Sequence, residues 1–276
     1  MFTYLKNSFA RKIARRVTKE YPPIIDHLNM NQYGEIDFAN WSSPLAPKVT
    51  LNEATVAFFN QFIKAGDLAI DIGANIGDTT VPMALCTGTT GITIGFDPNP
   101  YVFKILEANA NLNKDKYVIH PHRCAISSEP KSFYYISSEA SFGNGAISET
   151  RDSKHGKFVY DGMVEGIHLK TFLETKYASM IQKLSFIKID TEGYDKEIIK
   201  SISDLIQAYK PVIVAESFGK ASEAAKIELF EVIKNNGYDI FYFADFDINA
   251  TVTELKVAAD LVQYNHTINV YAVPKK

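Results

Sequence analysis

The stretch Leu68-Ala69-Ile70-Asp71-Ile72-Gly73-Ala74-Asn75-Ile76-Gly77-Asp78-Thr79 reads as an apolar strand running into a glycine-punctuated turn. Gly73 permits a tight turn, and Gly77 lets the backbone approach a ligand or the next element closely. The helix that follows aims its free N–H groups at whatever the turn holds. Comparable apolar runs recur at 92–97, 117–126, 184–190, 211–216, 239–244 and 268–273, with helical runs near 77–86, 100–112, 193–208 and 221–235. Most of these strands are apolar throughout and not alternating, as expected where both sheet faces are covered. Seven strands with interleaved helices predict a doubly wound α/β sheet over residues 50–276. Ligands of such sheets bind outside the carboxyl ends of the strands, where strand order reverses. The residues just after each strand are therefore the place to look.

Composition narrows the function. With 46% apolar and 22% charged residues, the 276-residue chain lies far from disorder. The net charge of −3 supplies no basic field for nucleic acid, so no nucleic-acid partner is expected. Two cysteines, Cys86 and Cys124, are too few for a disulfide framework and fit a reducing, cytoplasmic compartment. No apolar run is long enough for a membrane span, and the first residues lack the pattern of a secretory signal.

Residues 1–49 read as an extension. Lys6, Arg11, Lys12, Arg15, Arg16 and Lys19 give the first nineteen residues a charge of +6, leaving −9 for the rest. Leu5, Phe9, Ile13 and Val17 recur every four residues on one helical face. This basic amphipathic helix, ended by Tyr21-Pro22-Pro23, either docks on the domain or meets an anionic membrane surface. Residues 24–49 read as a connector of loops, and Thr50-Leu51-Asn52-Glu53 as a capping box. A long polar stretch, 137–165, reads as a flap over the site with a hairpin of its own.

The second strand ends in Asp97-Pro98-Asn99-Pro100, an acid 24 residues beyond Gly73, where a ribose-binding carboxylate belongs. A dinucleotide site wants G-x-G-x-x-G, but the second glycine position holds Asn75, and Asp71 precedes the turn. A carboxylate there would repel a pyrophosphate and suits a cationic ligand. S-adenosylmethionine carries an ammonium, a sulfonium and no phosphate, so it is the expected cofactor.

The segment 69–77, together with Phe186-Ile187-Lys188-Ile189-Asp190-Thr191-Glu192-Gly193 downstream, resembles the FkbM-type family of class I methyltransferases. The resemblance covers roughly residues 50–216. It implies a Rossmann-like sheet of seven strands, the last antiparallel, and transfer of a methyl group from S-adenosylmethionine to oxygen, often a sugar hydroxyl of a glycan or glycoconjugate. Carried onto this sequence, it puts Asp71, Gly73, Asn75 and Gly77 along the methionine end and Asp97 on the ribose. Pro98 and Asn99 shape the adenosine pocket, Ala125 and Ile126 flank the adenine, and Asp190 lies near the sulfonium.

A sugar hydroxyl is a poor nucleophile until it loses its proton, so a positioned base helps. Glu216 closing the fifth strand, Glu192, and His168 ahead of a helical run are the candidates. Each has a plainer reading: Glu216 and Glu192 as solvated carboxylates, Asp190 as a helix cap, and His168 as a packed ring. A divalent metal held by Asp190, Glu192, Asp195 and Glu216 is a weaker alternative to a base, since no segment has metal-loop spacing. His120-Pro121-His122 lacks the partners of a zinc site. Two rival functions are an NAD-linked oxidoreductase and a nucleoside-binding scaffold without catalysis. Neither the acceptor nor the oligomeric state is legible.

Overall fold

The computed structural model describes residues 2–152, 156–191 and 193–275, with side chains from Ser8 onward. Helix α1 (Phe2–Ala14) stops eight residues before Pro22, not at the prolines. Its last turn tightens as Arg16 and Val17 both donate to the Ile13 carbonyl, and the β-branched pair Val17-Thr18 does not propagate a helix. The side chains of Leu5 and Lys6 lie outside the described residues.

The expected connector is instead an antiparallel hairpin, β1 (Pro23–Met30) and β2 (Gly34–Trp41). Gly34, at φ +70°, closes the turn, and Ile36 and Phe38 alternate into the core with Glu35 and Asp37 before the strand becomes buried at Ala39, Asn40 and Trp41. Glu53 does not cap its own helix. Its carboxylate accepts from Gln32 N–H and Asn31 Nδ2 in the hairpin turn. The cap of α2 (Glu53–Asn60) is Asn52, whose side chain accepts from Thr55 N–H.

The main sheet is built from β3 (Leu68–Ile72), β4 (Ile92–Phe96), β5 (Ile119–His122), and then, beyond an inserted sheet, β10 (Leu184–Ile189), β11 (Val212–Ser217), β12 (Tyr238–Phe243), β13 (Val252–Leu255) and β14 (Ile268–Pro274). Its order is β13-β12-β14-β11-β10-β3-β4-β5. The strands from β5 to β11 run parallel, and β14 inserts antiparallel between β11 and β12. Seven of these match the expected sheet with its reversed last strand. The eighth, β13, is a short edge strand whose three exposed residues gave no apolar run. Order reverses between β3 and β10, which places the ligand crevice at their carboxyl ends.

Helices α3 (Thr80–Thr87), α4 (Phe103–Asn111), α6 (Asp195–Ser201), α7 (Ser203–Tyr209), α8 (Glu223–Asn235) and the short α9 (Ala258–Val262) clothe the sheet. The expected helix 193–208 is two, divided at Ile202. Leu68, Ile70 and Ile72 pack into one core with Ile187 and Ile189, while Ala69 packs into the other with Phe186 and Val214. That double burial is why these strands are apolar at most positions, with Asp71 of β3 and Lys188 of β10 paired to each other.

The run 117–126 also divides. Its tail becomes β6 (Ala125–Ile126), which joins β7 (Lys131–Ser137), β8 (Ala146–Ser148) and β9 (Phe158–Ile167) in a second sheet of order β6-β9-β7-β8. The expected flap is thus a small sheet with its own core of Ala125, Phe133, Tyr135, Phe142 and Val164, leading into α5 (Leu169–Lys176).

The outer edge of β2 is closed by amides. Asn109 accepts from Ala39 N–H at 2.7 Å and donates to Ala39 O at 2.9 Å, and Asn113 does the same for Asp37. Asn109 Nδ2 also donates to Ile76 O at 2.7 Å, tying the hairpin to the turn after β3. Two side chains here do the work of a neighbouring strand. Among the described residues no helix is long and apolar enough to cross a membrane.

Candidate active site

A cavity of about 630 Å³ opens at the carboxyl ends of β3, β4 and β10, beneath the small sheet. Its floor is the turn after β3. Gly73 sits at φ +78°, and a Cβ there would stand 1.9 Å from the Asp190 carbonyl oxygen. Only glycine lets β3 and β10 converge at this point. Gly73 and Ala74 donate their N–H groups to Phe96 O, bending the turn toward β4.

Asn75, at φ +48°, then donates its N–H to Asp97 Oδ2 at 2.7 Å, and Asn99 N–H donates to Oδ1 at 2.8 Å. The carboxylate is buried, and burial pushes its pKa up to about 7 against the pull of those two N–H groups. Each oxygen keeps a lone pair for a further donor, the arrangement needed to hold a vicinal diol. Beyond Asp97, the residues Phe96, Val102, Cys124, Ala125 and Ile126 form an apolar slot next to Pro98. Asn99 reaches across to the small sheet and donates to Phe142 O at 2.7 Å.

Behind the floor lies a buried charge cluster. Lys188 Nζ contacts Asp71 Oδ1 at 3.2 Å and Asp190 Oδ2 at 3.3 Å. Asp71 Oδ2 accepts from both Thr79 Oγ1 and Thr80 Oγ1. Burial works to lower the Lys188 pKa, but Asp71, Asp190 and Asp78 together raise it, so the lysine is held charged. Asp190 is part exposed and faces the cavity, and Asp78 also lines it. Burial raises the Asp78 pKa, opposed by Lys188. The described lining carries Asp78, Asp97, Asp190 and Glu149 against one cation, Lys188. It suits a ligand bearing positive charge.

The structure brings Gly73, Asn75, Asp97, Pro98, Asn99, Ala125, Ile126 and Asp190 to this one cavity. Asp71 and Gly77 lie behind its wall. Asp71 binds Lys188 and two threonines, and Gly77, at φ +98°, makes room for Leu106 of α4. Glu216 is also away from the lining, and its N–H donates to Asp195 Oδ1 at 2.8 Å. Asp195 is buried, accepts from Thr191 Oγ1 at 2.8 Å, and has its pKa pushed up to about 6 by that burial. It therefore braces Thr191 against the end of β11. His168 sits before α5, its ring bonded to Thr171 Oγ1 and Ser201 O, outside the cavity. Glu192 lies outside the described residues, between Thr191 and Gly193, which both line the cavity.

Lining residues that the sequence reading missed include Asp78, Tyr135, Asn144, Glu149, Lys188 and Tyr194. Asp78 and Lys188 stood within the quoted motifs and Tyr194 directly follows one, while Tyr135, Asn144 and Glu149 needed the small sheet to be seen. His120 and His122 share one partner, the Tyr177 hydroxyl, at 2.9 Å each. Burial lowers the pKa of both, His122 to about 4. Among the described residues no group of three or more His, Cys, Asp or Glu side chains is placed to hold a metal ion.

The family model described as "Methyltransferase FkbM domain" matches residues 71–240. The chain matches no curated protein in sequence. Among solved structures it is similar to a methyltransferase FkbM from Methylobacillus flagellatus KT, at 11% identity, covering 79% of this chain and 50% of that one, TM-score 0.44. It is similar to a SAM-dependent O-methyltransferase from Thermotoga maritima, at 10% identity over 92% and 78% of the two chains, TM-score 0.43. Aeropyrum pernix fibrillarin in complex with natively bound S-adenosyl-L-methionine is similar at 10% identity over 93% and 97%, TM-score 0.40.

Proposed function

The chain belongs to the FkbM methyltransferase family, and on that premise we propose that it methylates an oxygen, a sugar hydroxyl of a glycan or glycoconjugate, with S-adenosylmethionine as donor. The observation that carries the donor is Asp97, with one backbone N–H on each oxygen and the apolar slot of Phe96, Val102 and Ile126 beside it. That pairing fits a ribose diol joined to a flat base. Asp78 and Asp190 then face the end of the cavity where an ammonium and a sulfonium would lie. When bound, the donor supplies a methyl group already activated by its sulfonium.

The chain's own residues have three tasks. Gly73 and Asn75 shape the turn so that backbone, not side chain, borders the donor. Tyr135, Asn144, Glu149 and Tyr194 offer ring faces and hydrogen-bonding groups suited to a polyol acceptor. Glu192, flanked in sequence by two lining residues, takes the proton from the acceptor hydroxyl. It ranks above Glu216 and His168, which lie off the lining. Closure by the small sheet keeps water from competing and holds the acceptor in line.

The carboxylate-rich lining disfavours a pyrophosphate, which argues against an NAD-linked oxidoreductase. Two unpaired, buried cysteines fit a reducing compartment, and we place the protein in the cytoplasm. The test is calorimetry followed by turnover. The wild type should bind S-adenosylmethionine and S-adenosylhomocysteine but not NAD, and should methylate members of a glycan panel. Glu192→Gln should keep donor affinity and lose about 10²–10⁴ in kcat. A folded protein that binds neither sulfur nucleoside would overturn the reading.

A further inference from the structure

Helix α1 touches the body of the protein with one face and leaves another bare. Ala14 is fully buried, Arg11 Nε donates to Pro44 O, and Arg15 Nε pairs with Glu139 Oε1 at 3.3 Å. Ala140 N–H donates to the Arg15 carbonyl, so the end of the helix is fixed to the segment leading from β7 into the cavity wall. On the opposite side Phe9 is 66% exposed and Ile13 39%, and Val17 just beyond is 55% exposed. Four-residue spacing stacks Phe9 and Ile13 on one stripe. Lys12 and Arg16, also exposed, border that stripe, and Lys19 follows.

A docked surface helix normally turns its apolar stripe inward. Here the contacts made by Arg11, Ala14 and Arg15 hold the stripe outward. We propose that Phe9, Ile13 and Val17, with Lys12, Arg16 and Lys19, form a docking surface for an anionic lipid bilayer. The commitment to lipid rests on charge. Residues 1–19 contain no acid and carry +6, while the rest of the chain carries −9. An anionic surface therefore attracts this end and repels the remainder, which fixes the orientation as well as the attachment. Aromatic and aliphatic side chains flanked by cations are the composition that enters the headgroup boundary.

Arg15 and Glu139 also line a second cavity of about 280 Å³, which shares Asn75, Asp78, Gly143 and Asn144 with the larger one. Through Arg15, the segment proposed to dock thus also contributes to the wall of that second cavity. Membrane binding through α1 does not depend on the acceptor proposed above.

The test is co-sedimentation of the full chain with vesicles of phosphatidylcholine alone, or of phosphatidylcholine with phosphatidylserine, at low and high salt. The wild type should pellet with the anionic vesicles and be released by salt. Lys12→Ala with Arg16→Ala should weaken partitioning roughly 30-fold, and Phe9→Asp with Ile13→Asp should abolish it. Because all four side chains are exposed, melting temperature and S-adenosylmethionine affinity should match the wild type. Failure of the wild type to pellet with anionic vesicles would overturn the proposal. So would wild-type partitioning of both double variants, or pelleting without vesicles, which would assign the stripe to a second copy of the chain. Loss of donor binding by the wild type would count against the methyltransferase reading and leave this one standing.

Discussion

Gly73 and Asp190 meet backbone to backbone: no Cβ fits on residue 73 within van der Waals distance of the Asp190 carbonyl. The contact joins the ends of the two strands between which sheet order reverses. Gly73→Ala should therefore push β3 and β10 apart, cost about 3 kcal/mol of stability, and weaken S-adenosylmethionine binding at least about tenfold. Thermal unfolding and calorimetry on the same preparation check both. Wild-type affinity in the variant would show that the strand ends need not converge.

On the proposed role of Asp97 in holding the ribose, its raised pKa should make donor binding depend on pH. Burial lifts the group to about 7 in the free protein, and a ribose diol needs the ionised form as acceptor. Affinity should therefore rise as pH increases toward 7 and level off above it, by up to about tenfold per pH unit on the rising limb. The stability term has the opposite sign. The folded state holds this proton more tightly than the unfolded chain, so the stability it contributes is present at low pH and is lost as pH rises through about 7. Asp97→Ala should flatten the affinity profile and weaken binding about 10–100-fold. A flat wild-type profile between pH 5 and pH 8 would contradict this assignment.

Lys188 is the counter-charge to a fully buried Asp71. Lys188→Met should cost about 3–5 kcal/mol, because it leaves Asp71 with two hydroxyl donors and no cation. Adding Asp71→Asn should restore much of that loss. Denaturant unfolding of the two single variants and the double variant gives the coupling directly, and additive losses would mean the pair does not act as one unit.

Asn99 joins the second strand end to the small sheet through Phe142 O. Asn99→Ala leaves that buried carbonyl without its donor and also removes the acceptor for Tyr101 N–H, at a cost of about 1–3 kcal/mol. Amide exchange should quicken around 142–149 before it quickens in β3 or β10, and KM for the donor should rise more than kcat falls. Uniform acceleration across the chain would place the effect in global stability instead.

The sheet was legible because burial on both faces forces apolar residues at most strand positions, with the buried charges Asp71 and Lys188 paired across β3 and β10. Leu68–Ile72 shows this in one run: its alternate residues enter different cores. That Gly73, Asn75 and Asp97 share one cavity was legible because that wall is built from backbone turns, and turns leave such residues in the sequence. What did not show was structure with one polar face. The hairpin 23–41 alternates Ile36 and Phe38 with acids, and its Pro23 and Gly34 read as loop. The small sheet carries its apolar residues singly, as Phe133, Tyr135 and Val164, so no run announces it. Its contribution to the cavity wall, Tyr135 and Glu149 among others, was invisible for the same reason. Asp71 looked like a ligand contact because sequence gives proximity to the turn but not the side on which the carboxylate lies.

Asn109 ties β2 to the Ile76 carbonyl and thus to the turn that floors the cavity. The family match begins at residue 71, thirty residues after β2 ends. Homology boundary and folding boundary therefore do not coincide. A fragment trimmed to the matched segment would keep Asp71 to Gly77 but lose Leu68, Ala69 and Ile70 of β3 together with the hairpin tied to the turn, so a folded unit cut from this protein has to begin upstream of Pro23.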